Sequence, residues 1–153
     1  MTREDVRTVV DYHYWARDRL LEACVPLTFD QFTRDLSSSF PSVRDTLVHL
    51  YAADWGWHLV WQGQPPTDFP AAASFPDLAS VRSAWQDEES KVRSFVANLG
   101  DEGIDGFWRR LLHLVNHASY HRGQVTTMLR QLGVAAPKSQ DMIMFHKERA
   151  TFC

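Results

Sequence analysis

Apolar residues recur along the chain at three- and four-residue intervals and never in sustained alternation, so the pattern predicts helices and no strands. A first helix is expected from about Arg3 to Cys24, on a stripe that includes Val6, Val10, Tyr14, Leu20 and Leu21, and Pro26 ends it. A second opens at Ser42, whose spacing to Asp45 resembles a capping box, and runs to Trp61, with Gly63 closing it. The third follows Pro76 and continues to about Leu99. The fourth starts near Phe107, after the glycines of Gly103-Ile104-Asp105-Gly106, and reaches Leu132, where Gly133 supplies the cap. A short helical tail, Ser139 to Glu148, is expected to pack Met142, Ile143 and Phe145 on the rest.

Four long helices with lengthy connectors at 26–40 and 64–74 predict an all-α four-helix bundle of non-simple connectivity, in one domain over residues 1–153. The second helix is unusual in being apolar on two sides. Val43, Leu50, Ala53, Trp57 and Trp61 form one face, and Val48, Ala52, Trp55 and Leu59 form another, nearly opposite. A helix of that kind is normally buried on both faces. The second face therefore predicts a homodimer, unless the connectors cover it.

Composition narrows the function classes. The net charge is −3 and no Lys/Arg-rich block occurs, which disfavours a nucleic-acid binder. No apolar run is long enough to span a membrane and the start lacks a signal-peptide core, so a soluble cytoplasmic protein is expected. Two cysteines, Cys24 and Cys153, are too few for a disulfide framework or a thiolate zinc site. The seven histidines are the conspicuous feature, because several fall inside helices.

His117 and His121 stand one turn apart and about 40° apart around the fourth helix, close enough to converge on one metal ion. They lie at the edge of the apolar stripe, where a cleft between helices is expected. His49 occupies the edge of the first apolar face of the second helix, beside Ala53. Three imidazoles from two helices match the ligand count of an open catalytic site. Without thiolates the set suits zinc, nickel, iron or copper. The alternative is three boundary histidines satisfied by backbone or water. His113, one turn before His117, could replace a member or act from behind it, whereas His13, His58 and His146 have weaker claims. His58 is about 180° from His49 around its helix and cannot share a site with it. Ala118 follows His117 where a zinc protease would carry its glutamate base, and no Glu-x-x-His pair exists for a di-iron carboxylate site.

Three stretches give the chain a family likeness: Ser42–Leu50 with Ala53-Asp54-Trp55-Gly56-Trp57, then Val115–Gln124 leading to Gly133, then Pro137–Phe145 with Asp141. In these it resembles the DinB/YfiT-like superfamily of metal-dependent bacterial proteins. The resemblance implies a four-helix bundle of unusual connection order, commonly dimeric. It also implies a divalent metal held at positions matching His49, His117 and His121, with His113 not a ligand. Zinc or nickel is the first expectation for the ion, iron or manganese the next. Relatives with assigned activity are mostly thiol transferases, and the family name refers to DNA-damage inducibility. The expected function is thus metal-assisted transfer of a low-molecular-weight thiol to an electrophile in stress response or detoxification. The alternative is a non-catalytic, damage-induced stress protein with a structural metal.

Supporting chemistry has few candidates. Asp54 could hydrogen-bond a ligand histidine or a neighbouring helix, or form a salt bridge within its own helix. Glu88 and Glu89 interrupt the third helix's stripe, so one can turn inward as an acid/base group, the commoner alternative being a glutamate that snorkels to or stays in solvent. Tyr120 and Arg122 flank His121 and could line the pocket or cap neighbouring loops, and Gln124 lies on the ligand stripe as a candidate partner for a ligand imidazole.

Overall fold

Thr2, Ser42 and Asp77 each turn a side-chain oxygen onto the backbone N–H three residues ahead, and a long helix begins after each of them. The computed structural model describes residues 1–151. Its α-helices are α1 (Arg3–Ala23), α2 (Phe29–Thr33), α3 (Val43–Trp61), α4 (Leu78–Ala97), α5 (Asp101–Gln131) and α6 (Met142–Thr151). A single 3-10 turn covers Ala72–Ser74, and no strand occurs among the described residues. At Ser42 the reciprocal half of a capping box is missing: the Asp45 carboxylate accepts from the Ser42 hydroxyl instead of from its backbone N–H.

The protein is an all-α bundle. α1 packs against α4 and α5, and α3 packs against the same two, so α1 and α3 face each other across a diagonal. Leu20, Leu21, Leu47, Val81, Val125 and Leu129 are fully enclosed between them. Each such side chain contributes about 1.5–3 kcal/mol by leaving water. α3 and α5 both end with a glycine at positive φ, Gly63 at 75° and Gly133 at 74°. In both cases the glycine N–H and the one after it fold back onto carbonyls of the last turn, Gly63 to Val60 and Gln64 to Leu59, Gly133 to Arg130 and Val134 to Leu129. No described helix is long and apolar enough to cross a membrane.

The structure departs from the sequence-based expectation in four places. The last long helix begins at Asp101 and not near Phe107, passing through Gly103 and Gly106. Ile104 and Phe107, both buried, extend the stripe of Leu111 and Leu114 by two turns, and that burial outweighs about 1 kcal/mol of propensity lost per glycine. A Cβ at Gly106 would meet nothing within 4 Å. Gly106→Ala is therefore expected to stabilise the chain by about 0.5–1 kcal/mol in urea unfolding.

Second, the first connector contains α2, started by a capping box in which Thr28 and Gln31 exchange bonds. Third, the tail helix starts at Met142, not Ser139, and only Phe145 of the three expected residues is buried; Met142 and Ile143 are exposed. Phe145 sits edge-on to Tyr12 and Trp15 of α1. Fourth, the crossover after α3 covers part of that helix's second apolar face. Phe69 meets the edge of Trp55, and its ring lies 3.0 Å from where a Cβ on Gly56 would stand, so a side chain there would have to push the ring aside.

Candidate metal centre

α3 presents His49 and α5 presents His117 and His121 to one space between the two helices. One nitrogen of each imidazole can be chosen so that all three lie within 4.8 Å of one another. The Nε2 atoms of His49 and His117 are 3.0 Å apart. Phe40, in the turn before α3, stacks on His49 at 3.9 Å between ring centres and meets His121 edge-on. The cluster is thus walled on the side of the first connector by a ring with no hydrogen-bonding capacity.

The donor set suits a cation. Gln124 Oε1 can only accept, so at 2.7 Å it fixes the proton of His121 on Nδ1 and leaves Nε2 with a free lone pair. Two facing Nε2 atoms at 3.0 Å approach the spacing of neighbouring nitrogens around a tetrahedral zinc, about 3.3 Å for bonds of roughly 2.0–2.1 Å. Burial pushes His49 down to about 4, with the neighbouring His121 and His117 adding to the effect. Burial first, then His121 and His113, also lowers His117, against a weaker opposing pull from Asp54. Both are neutral at pH 7, the form that ligates metal. These three histidines can hold a divalent metal ion.

A consequence for pH follows in metal-free protein. His49 binds its proton at about 6.5 when unfolded but only near 4 when folded. Between those values the unfolded chain holds more protons, so stability falls as pH drops from about 6.5 towards 4. His117, shifted in the same direction, adds to the slope. Urea midpoints measured across this window in chelator-treated protein should decline, and His49→Ala should flatten the decline.

The other sequence candidates have separate positions. Gln124 touches the cluster directly through His121, and Tyr120, largely exposed, packs its ring against the edge of the same imidazole. Asp54, 1% exposed, instead accepts from His13 Nε2 at 2.9 and 3.1 Å and from Trp85 Nε1 at 2.6 Å. It ties α3 to α1 and α4. Glu88 does turn inward, where its carboxylate accepts from His58 Nδ1 at 2.5 Å while Gln62 donates to the opposite ring nitrogen. Glu89 pairs with Arg17 and Arg93. Arg122 points to Tyr12 and Ser119, away from the histidines.

Sequence reasoning passed over His13 and His58 as unremarkable. Both are buried, each against a carboxylate from another helix. A usable signal existed for one of these pairs, since Glu88 interrupts an apolar stripe and an enclosed carboxylate needs a donor.

Beside the histidines opens an apolar cavity of about 330 Å³, lined by Ala52, Gly56, Trp57, Pro66 and Phe69 together with His49, His113 and His117. His113 meets the edge of Trp57 on its wall. Cys24 is buried far from use as a nucleophile, its thiol pushed up to about 12 by burial. Cys153 lies outside the described residues.

Comparison with known proteins gives two findings. Residues 1–149 match the family model described as the DinB family. The chain is also similar to Protein DinB of Bacillus subtilis (strain 168), at 28% identity over 160 residues, covering 88% of this chain and 91% of that protein.

Proposed function

This chain belongs to the DinB family, and from that premise we propose that it is a cytoplasmic metal-dependent transferase that joins a low-molecular-weight thiol to an electrophile. His49, His117 and His121 hold the ion, zinc or nickel, with iron or manganese as alternatives. The observation that supports this best is the adjacency of two features: a three-imidazole cluster and an apolar cavity that shares His49 and His117 with it. Three protein ligands leave a fourth position, and the cavity supplies an apolar space next to it.

When bound, the cation supplies the Lewis acidity that draws a thiol towards its thiolate form. The protein's own residues do the rest. Gln124 holds His121 in one tautomer and orientation. Trp57 and Phe69 give apolar surface on the side where the electrophile's apolar body would sit. His113 is the titratable group lining the cavity outside the triad, and its ring takes up the proton that the thiol sheds. The sulfur then bonds to the electrophilic carbon, and the displaced atom leaves with the electron pair. Cys24, enclosed in the core, supplies no competing protein thiol. A homodimer through the parts of Trp55 and Leu59 that the crossover leaves accessible belongs to the same reading, and light scattering in solution tests it.

Elemental analysis of the purified protein, followed by a screen of thiols against epoxides and activated carbonyls, tests the proposal. About one metal per chain and product formation that stops on chelation are expected. Metal without turnover of any thiol pair would overturn it. That result would favour a stress-induced protein whose metal only fastens α3 to α5, a reading supported by the derivation of the ligands from those two helices. Chelation separates the two directly: a structural ion should take many degrees of melting temperature with it.

A further inference from the structure

We infer that the cleft between α1, α5 and the loop before α6 is a second binding site, which takes a phosphate-class oxyanion. Its centre is Arg122, 4% exposed. Nη2 of Arg122 donates to the Tyr12 hydroxyl at 3.2 Å and to Ser119 Oγ at 2.8 Å, but its Nε is buried with no acceptor. No carboxylate lies within ion-pair distance of it among the described residues. The other buried arginine of the bundle obeys the usual rule: Arg17 reaches Asp18 at 2.7 Å and Glu89 at 2.5 Å. A guanidinium withdrawn from water without a counter-charge is costly, and natural proteins seldom leave one so.

What stands beside Arg122 is a cavity of about 480 Å³. Gln140 lines it too and carries a second orphaned donor, its buried Nε2. Arg130 and Lys138 stand on the rim, exposed and without ion pairs among the described residues. The one acid in the lining, Asp141, accepts from the Ser139 hydroxyl at 2.9 Å. Three cations against one carboxylate favour an anion of more than one charge. An oxyanion in this cleft supplies the counter-charge that Arg122 lacks, and binding requires Arg122 Nε and the Gln140 amide, both closed to solvent here, to turn towards it. The hydroxyls of Ser119 and Thr126 donate to their own helix carbonyls, so recognition falls to the cations and the amide. This cleft shares no lining residue with the cavity beside His49, and the inference does not depend on the metal reading.

The test is titration of the full chain with inorganic phosphate, and separately with glycerol phosphate, followed by amide chemical shifts at low ionic strength. Saturable shifts confined to residues 12, 119, 122–130 and 136–142 are expected, and the tighter of the two ligands identifies free phosphate or a phosphomonoester as the source. Arg122→Gln should weaken binding about 10–100-fold, as loss of a charged hydrogen-bonding group does. Lys138→Ala, on an exposed side chain that leaves the fold intact, should weaken it several-fold. Absence of saturable shifts at millimolar phosphate, shifts at the histidine cluster alone, or unchanged affinity in Lys138→Ala would each overturn the assignment.

Discussion

Asp54→Ala is expected to cost about 3–5 kcal/mol of stability, the usual penalty for removing one partner of a buried pair. At roughly 2–4 °C per kcal/mol for a chain of this length, the melting temperature should fall by on the order of 10 °C. The size follows from what the carboxylate serves. It is 1% exposed and receives His13 Nε2 in a forked bond and Trp85 Nε1 at 2.6 Å, from two different helices. Truncation strands both donors where water cannot replace the acceptor, and it opens a void between α1, α3 and α4. The backbone carbonyl of Trp85 also receives Arg17 at 3.3 Å, so a shift of the indole would disturb the neighbouring ion pairs. Thermal unfolding checks the prediction, and a loss below about 1 kcal/mol, the level of a surface pair, would contradict it. Metal bound per folded chain should stay near that of the unaltered protein, because Asp54 makes no hydrogen bond to the histidine cluster.

That division between Asp54 and the cluster was not legible in the sequence, and the reason is physical. Periodicity places α1, α3 and α4 well, because each carries apolar residues at helical spacing over its whole length and a side-chain cap. It also brings His49 to the edge of its stripe and pairs His117 with His121, since spacing along one helix is local geometry. The partners of His13 and His58 are 41 and 30 residues away and come from helices whose rotation about their axes only packing determines. The glycines at 103 and 106 misled for a related reason: propensity is read locally, whereas Ile104 and Phe107 are buried against distant neighbours. Phe40 lay in a stretch without periodicity, so its stacking on His49 carried no sequence signal. The Thr28-to-Gln31 capping box, by contrast, was readable and marks the start of α2.

His117→Ala should abolish stoichiometric metal binding while leaving the fold nearly as stable as before, the reverse of the Asp54 result. His117 is one corner of a compact triangle, with ring centres 4.9 Å from His49 and 4.5 Å from His121, which are 4.6 Å from each other. Its removal leaves two imidazoles, and two neutral nitrogens without a carboxylate or thiolate hold a divalent ion weakly. Affinity should drop by more than the roughly 10–100-fold that follows loss of a supporting partner such as Gln124, which acts only by orienting His121. The stability cost stays small because the ring is half-buried and its one hydrogen bond is to another member of the cluster. Metal content after dialysis, read beside a thermal scan of the same sample, measures both halves of the prediction. Retention of one ion per chain by His117→Ala would remove His117 from the ligand set. Since burial keeps His49 near 4 and lowers His117, proton competition at these positions begins only below the ordinary histidine range. The unaltered protein should therefore still hold its metal at pH 6, where a site of exposed histidines would already be releasing it.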